Sequence, residues 1–161
     1  MTGVQDKIRT IGIAADHGGF ILKEYLIEML RQAEYEIIDF GNNEFVPSDD
    51  YPDYIIPLVN AISNGAILRG IAICGSGVGA CIVANKIKAV RACLIHEEFS
   101  ARQGVEDDDM NLICLGGRVI DNALGLKLVK IFLGAKYIDV ERHTRRLAKI
   151  AKLENLQKLK Q

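Results

Sequence analysis

The segment Cys74-Gly75-Ser76-Gly77-Val78-Gly79-Ala80 places a thiol, a hydroxyl and three glycines within seven positions. Glycines free successive backbone N–H groups to form a concave anion-binding nest, and Ser76 adds a hydroxyl donor. A cysteine facing such a nest and a helix dipole sits where the thiolate is favoured, the form that acts as a base. The competing fate of any cysteine is simple burial. Two further turns carry related chemistry. Asp16-His17-Gly18-Gly19 offers a carboxylate and an imidazole at the start of a helix, a setting for an anionic group or a sugar hydroxyl, although Asp16 could serve only as a helix cap. Gly116-Gly117-Arg118 is another backbone-permissive turn and carries a guanidinium.

Other polar groups are less specific. Glu106-Asp107-Asp108-Asp109 reads as a solvated acidic loop whose spacing specifies no metal. Arg142, Arg145 and Arg146, with His143, form a compact basic cluster suited to phosphate or carboxylate, or to ion pairs with another subunit. Two familiar readings of the glycine segment can be tested. A low-molecular-weight phosphatase loop needs arginine six residues after its cysteine, and that position is Ala80. A dinucleotide fingerprint is matched formally by Gly75, Gly77 and Ala80, with Glu97 22 residues beyond Gly75. That loop follows the third strand rather than the first, and the chain has little room for a separate substrate domain.

These loops must be positioned by the runs between them. Short β-branched segments at 10–15, 35–39, 70–74, 90–95 and 111–115 alternate with amphipathic stretches at 19–33, 52–63, 78–87, 97–105 and 121–133. This rhythm predicts an α/β fold with a parallel sheet, helices on both faces and strands buried on both sides. The residues after each strand then gather at one edge of the sheet. The stretch 40–50 is long among short connections and suggests a binding role. Along 140–159, Leu147, Ile150, Leu153 and Leu156 form the stripe of a carboxyl-terminal helix that packs on the domain or on a partner subunit.

Composition narrows the class. A chain of 161 residues with 49% hydrophobic and 25% charged residues reads as a single domain over 1–161 with its own core. The formal charge of -1 provides no global field for nucleic acid or membrane surfaces. The four cysteines, at 74, 81, 93 and 114, lack the spacing of redox or zinc pairs. The opening MTGVQDKIRT is not leader-like and no apolar run approaches 18 residues, so a reducing cytoplasm is expected.

Taken together, the strings AADHGGFILKEYL, DYPDY, ICGSGVGACIVANK, VRACL, NLICLGGRVI and ERHTRRL resemble the ribose-5-phosphate isomerase B and galactose-6-phosphate isomerase family, in the family order over roughly residues 8–150. The resemblance implies a three-layer α/β/α sandwich on a five-stranded, Rossmann-like parallel sheet. It also implies a homodimer or homotetramer with shared active sites, and interconversion of an aldose phosphate and a ketose phosphate without metal or other cofactor. Ribose 5-phosphate and ribulose 5-phosphate are the commonest pair; allose 6-phosphate, galactose 6-phosphate or a non-catalytic sugar-phosphate-binding role are the alternatives. By resemblance, Cys74 is the base. Ser76 and the N–H groups of Gly75, Gly77 and Gly79 stabilise the enediolate. Asp16 and Tyr51 contact the sugar, and His17, Arg118, Arg142 and Arg146 bind phosphate.

One departure stands out. The family usually reads H-N-D-x-N before the fifth strand, its histidine helping to open the furanose ring and its asparagine contacting the substrate. This chain reads Asp107-Asp108-Asp109-Met110-Asn111. An ionised Asp107 can accept the anomeric hydroxyl proton but donates one poorly. Three consequences are open: Asp107 replaces the histidine, His96 supplies the imidazole, or the preferred sugar differs.

Overall fold

The structure, a computed structural model, describes residues 9–158. The opening segment and residue 159, the expected end of the last helix, lie outside the described residues. In chain order the elements are β1 Thr10–Ala15, α1 Phe20–Gln32, β2 Glu36–Asp39, α2 Tyr51–Ser63, β3 Arg69–Cys74, α3 Val78–Ala84, β4 Ala92–Leu94, α4 Glu98–Asp108, β5 Leu112–Gly116, α5 Asn122–Gly134 and α6 Glu141–Lys158. All strand pairs are parallel and the order across the sheet is β2-β1-β3-β5-β4. The alternation of strands and helices gives the α/β sandwich that the periodicity predicts.

Side-chain alternation along the three central strands divides the core into two layers. Ile11, Ile13, Ile71, Ile73, Ile113 and Leu115 face α1, α4 and α5, where they meet Leu26, Val105 and Phe132. Ala14, Ala72, Cys74 and Cys114 face α2 and α3. The small residues on this second face let Leu58 and Val59 of α2 lie close to the sheet. The same alternation sends the Cys74 side chain toward α2 and α3, at the last position of its strand.

Three expectations need correction. Burial on both faces holds for β1, β3 and β5 but fails at the edges: β2 is half-exposed along its length, with Glu36 and Ile38 outward, and β4 is only partly covered. Helix α3 stops at Ala84 instead of 87. There Asn85 turns its amide to the chain of β4, donating to the Ala92 carbonyl at 2.9 Å and accepting the Ala92 N–H at 3.0 Å. The acidic run is not a loop. Glu106, Asp107 and Asp108 form the last turn of α4, and Asp109 ends it in the left-handed conformation at φ 49, where its carboxylate meets Arg91 at 2.8 Å.

Candidate active site

At the carboxyl ends of β1, β3 and β5 the sheet opens into a cleft of about 400 Å³. It lies where the strand order reverses between β1 and β3, the usual ligand position in open α/β sheets. Cys74, Gly75, Ser76 and Gly79 line it from the β3 end, Asp16 from β1, Tyr51 from the start of α2, and Arg118 and Val119 from the turn after β5. Cys74 is only 4% exposed, yet it borders the cleft and accepts the Gly77 N–H at 3.2 Å. A backbone N–H aimed at sulfur stabilises negative charge there.

The glycine segment is built for close approach. Gly77 stands at φ +80, and a Cβ there would lie 2.5 Å from Leu94 and 2.8 Å from the Leu115 backbone. At Gly79 a Cβ would fall 2.6 Å from the Tyr51 ring, so only glycine lets that ring rest on α3. Not every nest N–H faces outward. Gly77 donates to Cys74, and Val78 donates to the Ser76 hydroxyl at 3.3 Å. Gly75, Ser76 and Gly79 are the nest members that border the cleft. The β3 and β5 turns are tied together by the Gly117 N–H on the Cys74 carbonyl at 2.9 Å and the Arg118 N–H on the Gly75 carbonyl at 3.0 Å.

Asp16 does more than cap. Its Oδ1 accepts the N–H groups of Gly18 at 2.9 Å and Gly19 at 3.2 Å, shaping the turn ahead of α1, while the side chain borders the cleft. Burial is the main cause that raises its pKa above the ordinary carboxylate value, and nearby Asp49 adds to it; His17 and the turn N–H groups pull the other way. His17 is half-buried beside the cleft. Its Nδ1 lies 2.6 Å from Asp49 Oδ1, and its backbone N–H donates to the same oxygen at 3.0 Å. Asn42 Nδ2 donates to the other Asp49 oxygen at 2.6 Å. Burial alone would raise the Asp49 pKa, but these donors outweigh it and hold the carboxyl below its ordinary value.

Several residues implicated from sequence lie elsewhere in the same chain. Asp107 accepts from Gln103 at 2.9 Å and faces His143 of α6 at 3.5 Å; Asp108 and His96 are exposed. His143 is buried, its Nδ1 against the Ile138 carbonyl at 2.8 Å and its Nε2 receiving Arg142 Nε at 3.0 Å. Arg142 and Arg146 are exposed on α6, outside the cleft, and Arg145 pairs with Glu141. Glu97, the acid of the dinucleotide reading, caps α4 by accepting the N–H groups of Phe99 and Ser100; hydrogen bonding from Ser100 chiefly lowers its pKa. Val119, Asn42 and Asp49 escape a reading of motifs. The length of the 40–50 stretch points to that loop, but not to the pairing of its two ends.

Comparison with known proteins identifies what this arrangement belongs to. Residues 11–150 match the ribose/galactose isomerase family. The chain belongs to this family. It is therefore an isomerase. Among its relatives, ribose-5-phosphate isomerase B of Escherichia coli is 35% identical over 147 residues, covering 91% of this chain and 97% of the relative. Ribose-5-phosphate isomerase B of Clostridium thermocellum superposes with a TM-score of 0.88 at 38% identity, covering 92% of this chain and 99% of that one. The Mycoplasma genitalium ribose-5-phosphate isomerase B, solved with bound ribulose 5-phosphate, gives 0.86 at 37% identity, covering 91% and 96%. The five-stranded parallel α/β fold of this isomerase thus matches that of the ribose-5-phosphate isomerase B structures.

Proposed function

We propose that the chain interconverts D-ribose 5-phosphate and D-ribulose 5-phosphate, with Cys74 as the base. The observation that carries this reading is a strand-terminal thiol at the rim of the cleft, held by a backbone N–H, with Asp16, Ser76 and Arg118 lining the same cleft. The ribulose 5-phosphate bound to the Mycoplasma genitalium relative supports the same substrate class here. In the open-chain aldose the thiolate takes the C2 proton, and the C–H electron pair becomes the C1–C2 double bond of an enediolate. The hydroxyl proton on O2 passes to O1. The thiol then returns its proton to C1, which leaves the carbonyl at C2 and restores the thiolate.

Each step needs a group that the cleft supplies. Ser76 and the N–H groups at Gly75 and Gly79, residues that border the cleft, stabilise the enediolate oxygens as charge develops. Asp16 accepts sugar hydroxyls, and the Tyr51 ring forms one wall. His17 and Arg118 bind the phosphate, joined by Arg142 and Arg146 of a second copy of the chain, so that remote binding holds the reacting carbons in register. A shared site of this kind also allows Asp107 and Asp108 to reach the sugar from the partner.

The test is Cys74→Ala, assayed with ribose 5-phosphate. Turnover should fall by at least about 10³-fold with an unchanged circular dichroism spectrum. Wild-type turnover in this variant would remove Cys74 as the base. Saturable ribose 5-phosphate binding by the wild-type chain with no isomerisation of any pentose or hexose phosphate would replace catalysis by a binding role.

A further inference from the structure

We infer that Asp49 is the positioning residue for His17, fixing the imidazole so that Nε2 is the nitrogen turned to the phosphate. The inference rests on the proposed phosphate role of His17 and assigns it a controlling partner. An ionised carboxylate can only accept hydrogen bonds, so a 2.6 Å contact places a proton on His17 Nδ1, and it is the doubly protonated ring that donates its Nε2–H to the phosphate. The same Asp49 oxygen accepts the His17 backbone N–H, which fixes the residue at two points. Asn42 closes the arrangement by holding the second oxygen.

The clamp is anchored in turn. The Asn42 N–H donates to the Ala15 carbonyl and the Ala15 N–H to the Gly41 carbonyl, both at 2.7 Å, so the loop is sewn to the end of β1 immediately before Asp16 and His17. Asp39 holds the other side of the loop. It accepts the Gly41 N–H at 2.9 Å, and its second oxygen meets the fully buried Lys23 ammonium at 2.6 Å. The His17 and Phe20 rings each lie edge-to-face with the Phe45 ring, at centroid distances of 6.4 and 6.0 Å. Each Asp49 oxygen is thus already occupied by protein donors, as a positioning carboxylate requires.

Ring 15N spectra of histidine-labelled enzyme read this arrangement directly, since the chain has 3 histidines and single substitutions assign them. With ribose 5-phosphate bound, wild-type His17 should show both ring nitrogens protonated, and Asp49→Ala should lose the Nδ1 proton and leave the neutral Nε2–H tautomer, without the charge that holds the phosphate. The same variant should raise KM for ribose 5-phosphate about tenfold while kcat stays within about twofold. Asn42→Ala, which leaves the carboxylate but frees it, should raise KM less and in the same direction. An unaltered His17 spectrum in Asp49→Ala overturns the positioning role alone. Unchanged KM in His17→Ala overturns the phosphate role of the histidine, and with it this inference. A shifted tautomer with unchanged KM in Asp49→Ala, where His17→Ala does raise KM, also overturns it.

Discussion

Asp16 shows how a single side chain trades stability for function. It accepts two backbone N–H groups yet sits buried beside Asp49, and burial raises its pKa. The folded state therefore binds the Asp16 proton more tightly than the unfolded chain does. Ionised Asp16 costs stability above its folded-state pKa, and the cost fades as pH falls, vanishing below the unfolded value of about 3.9. An asparagine oxygen can keep both turn hydrogen bonds without the charge. Asp16→Asn should melt above wild type at pH 7, with the two melting curves converging as the pH is lowered below about 4, and it should lose activity because the sugar loses its acceptor. Thermal melts across that range check the sign. A lower Tm for Asp16→Asn at neutral pH would show that the charge on the turn hydrogen bonds outweighs desolvation.

At the scale of elements, the join between β3 and α3 sets the chemistry. Gly77 is the residue where the strand's direction converts into the helix, and its N–H is the one that meets Cys74. Gly77→Ala would force a left-handed alanine against Leu94 and the Leu115 backbone, costing about 2–4 kcal/mol. Unfolding by urea should show that loss. Turnover should fall further than the folded fraction accounts for, because the sulfur loses its donor. The residue types announce this join, since three glycines after an apolar run have few other uses, and the element boundaries follow from apolar periodicity to within a few residues. The acidic end of α4 was less legible. Four carboxylates look like solvent-exposed loop, and only the Arg91–Asp109 pair and the left-handed cap show why the helix continues. The Asp49 clamp was not legible from spacing at all. Asn42 and Asp49 meet through an irregular loop, where no periodicity links one position to another.

At the scale of the whole molecule, the proposed phosphate site is incomplete within one chain. The cleft has one guanidinium, Arg118, whereas Arg142 and Arg146 stand on α6 with their side chains in solvent. The same helix exposes Ile150, Leu153 and Leu156, and α3 exposes Val78 and Ile82 beside the cleft. Exposed apolar side chains are what a second copy would cover, and a two-fold pairing would exchange arginines between equivalent sites. This exchange can be read in mixtures. Cys74→Ala keeps its arginines but lacks the base; a chain carrying both Arg142→Ala and Arg146→Ala keeps the base but lacks the arginines. If the arginines cross between copies, a mixed dimer has one complete site and one with neither function. Random reassociation of equal amounts should then restore about a quarter of wild-type activity from two weak parents. Arginines that serve their own chain's cleft would leave every mixed site defective, and activity would stay at the average of the two parents.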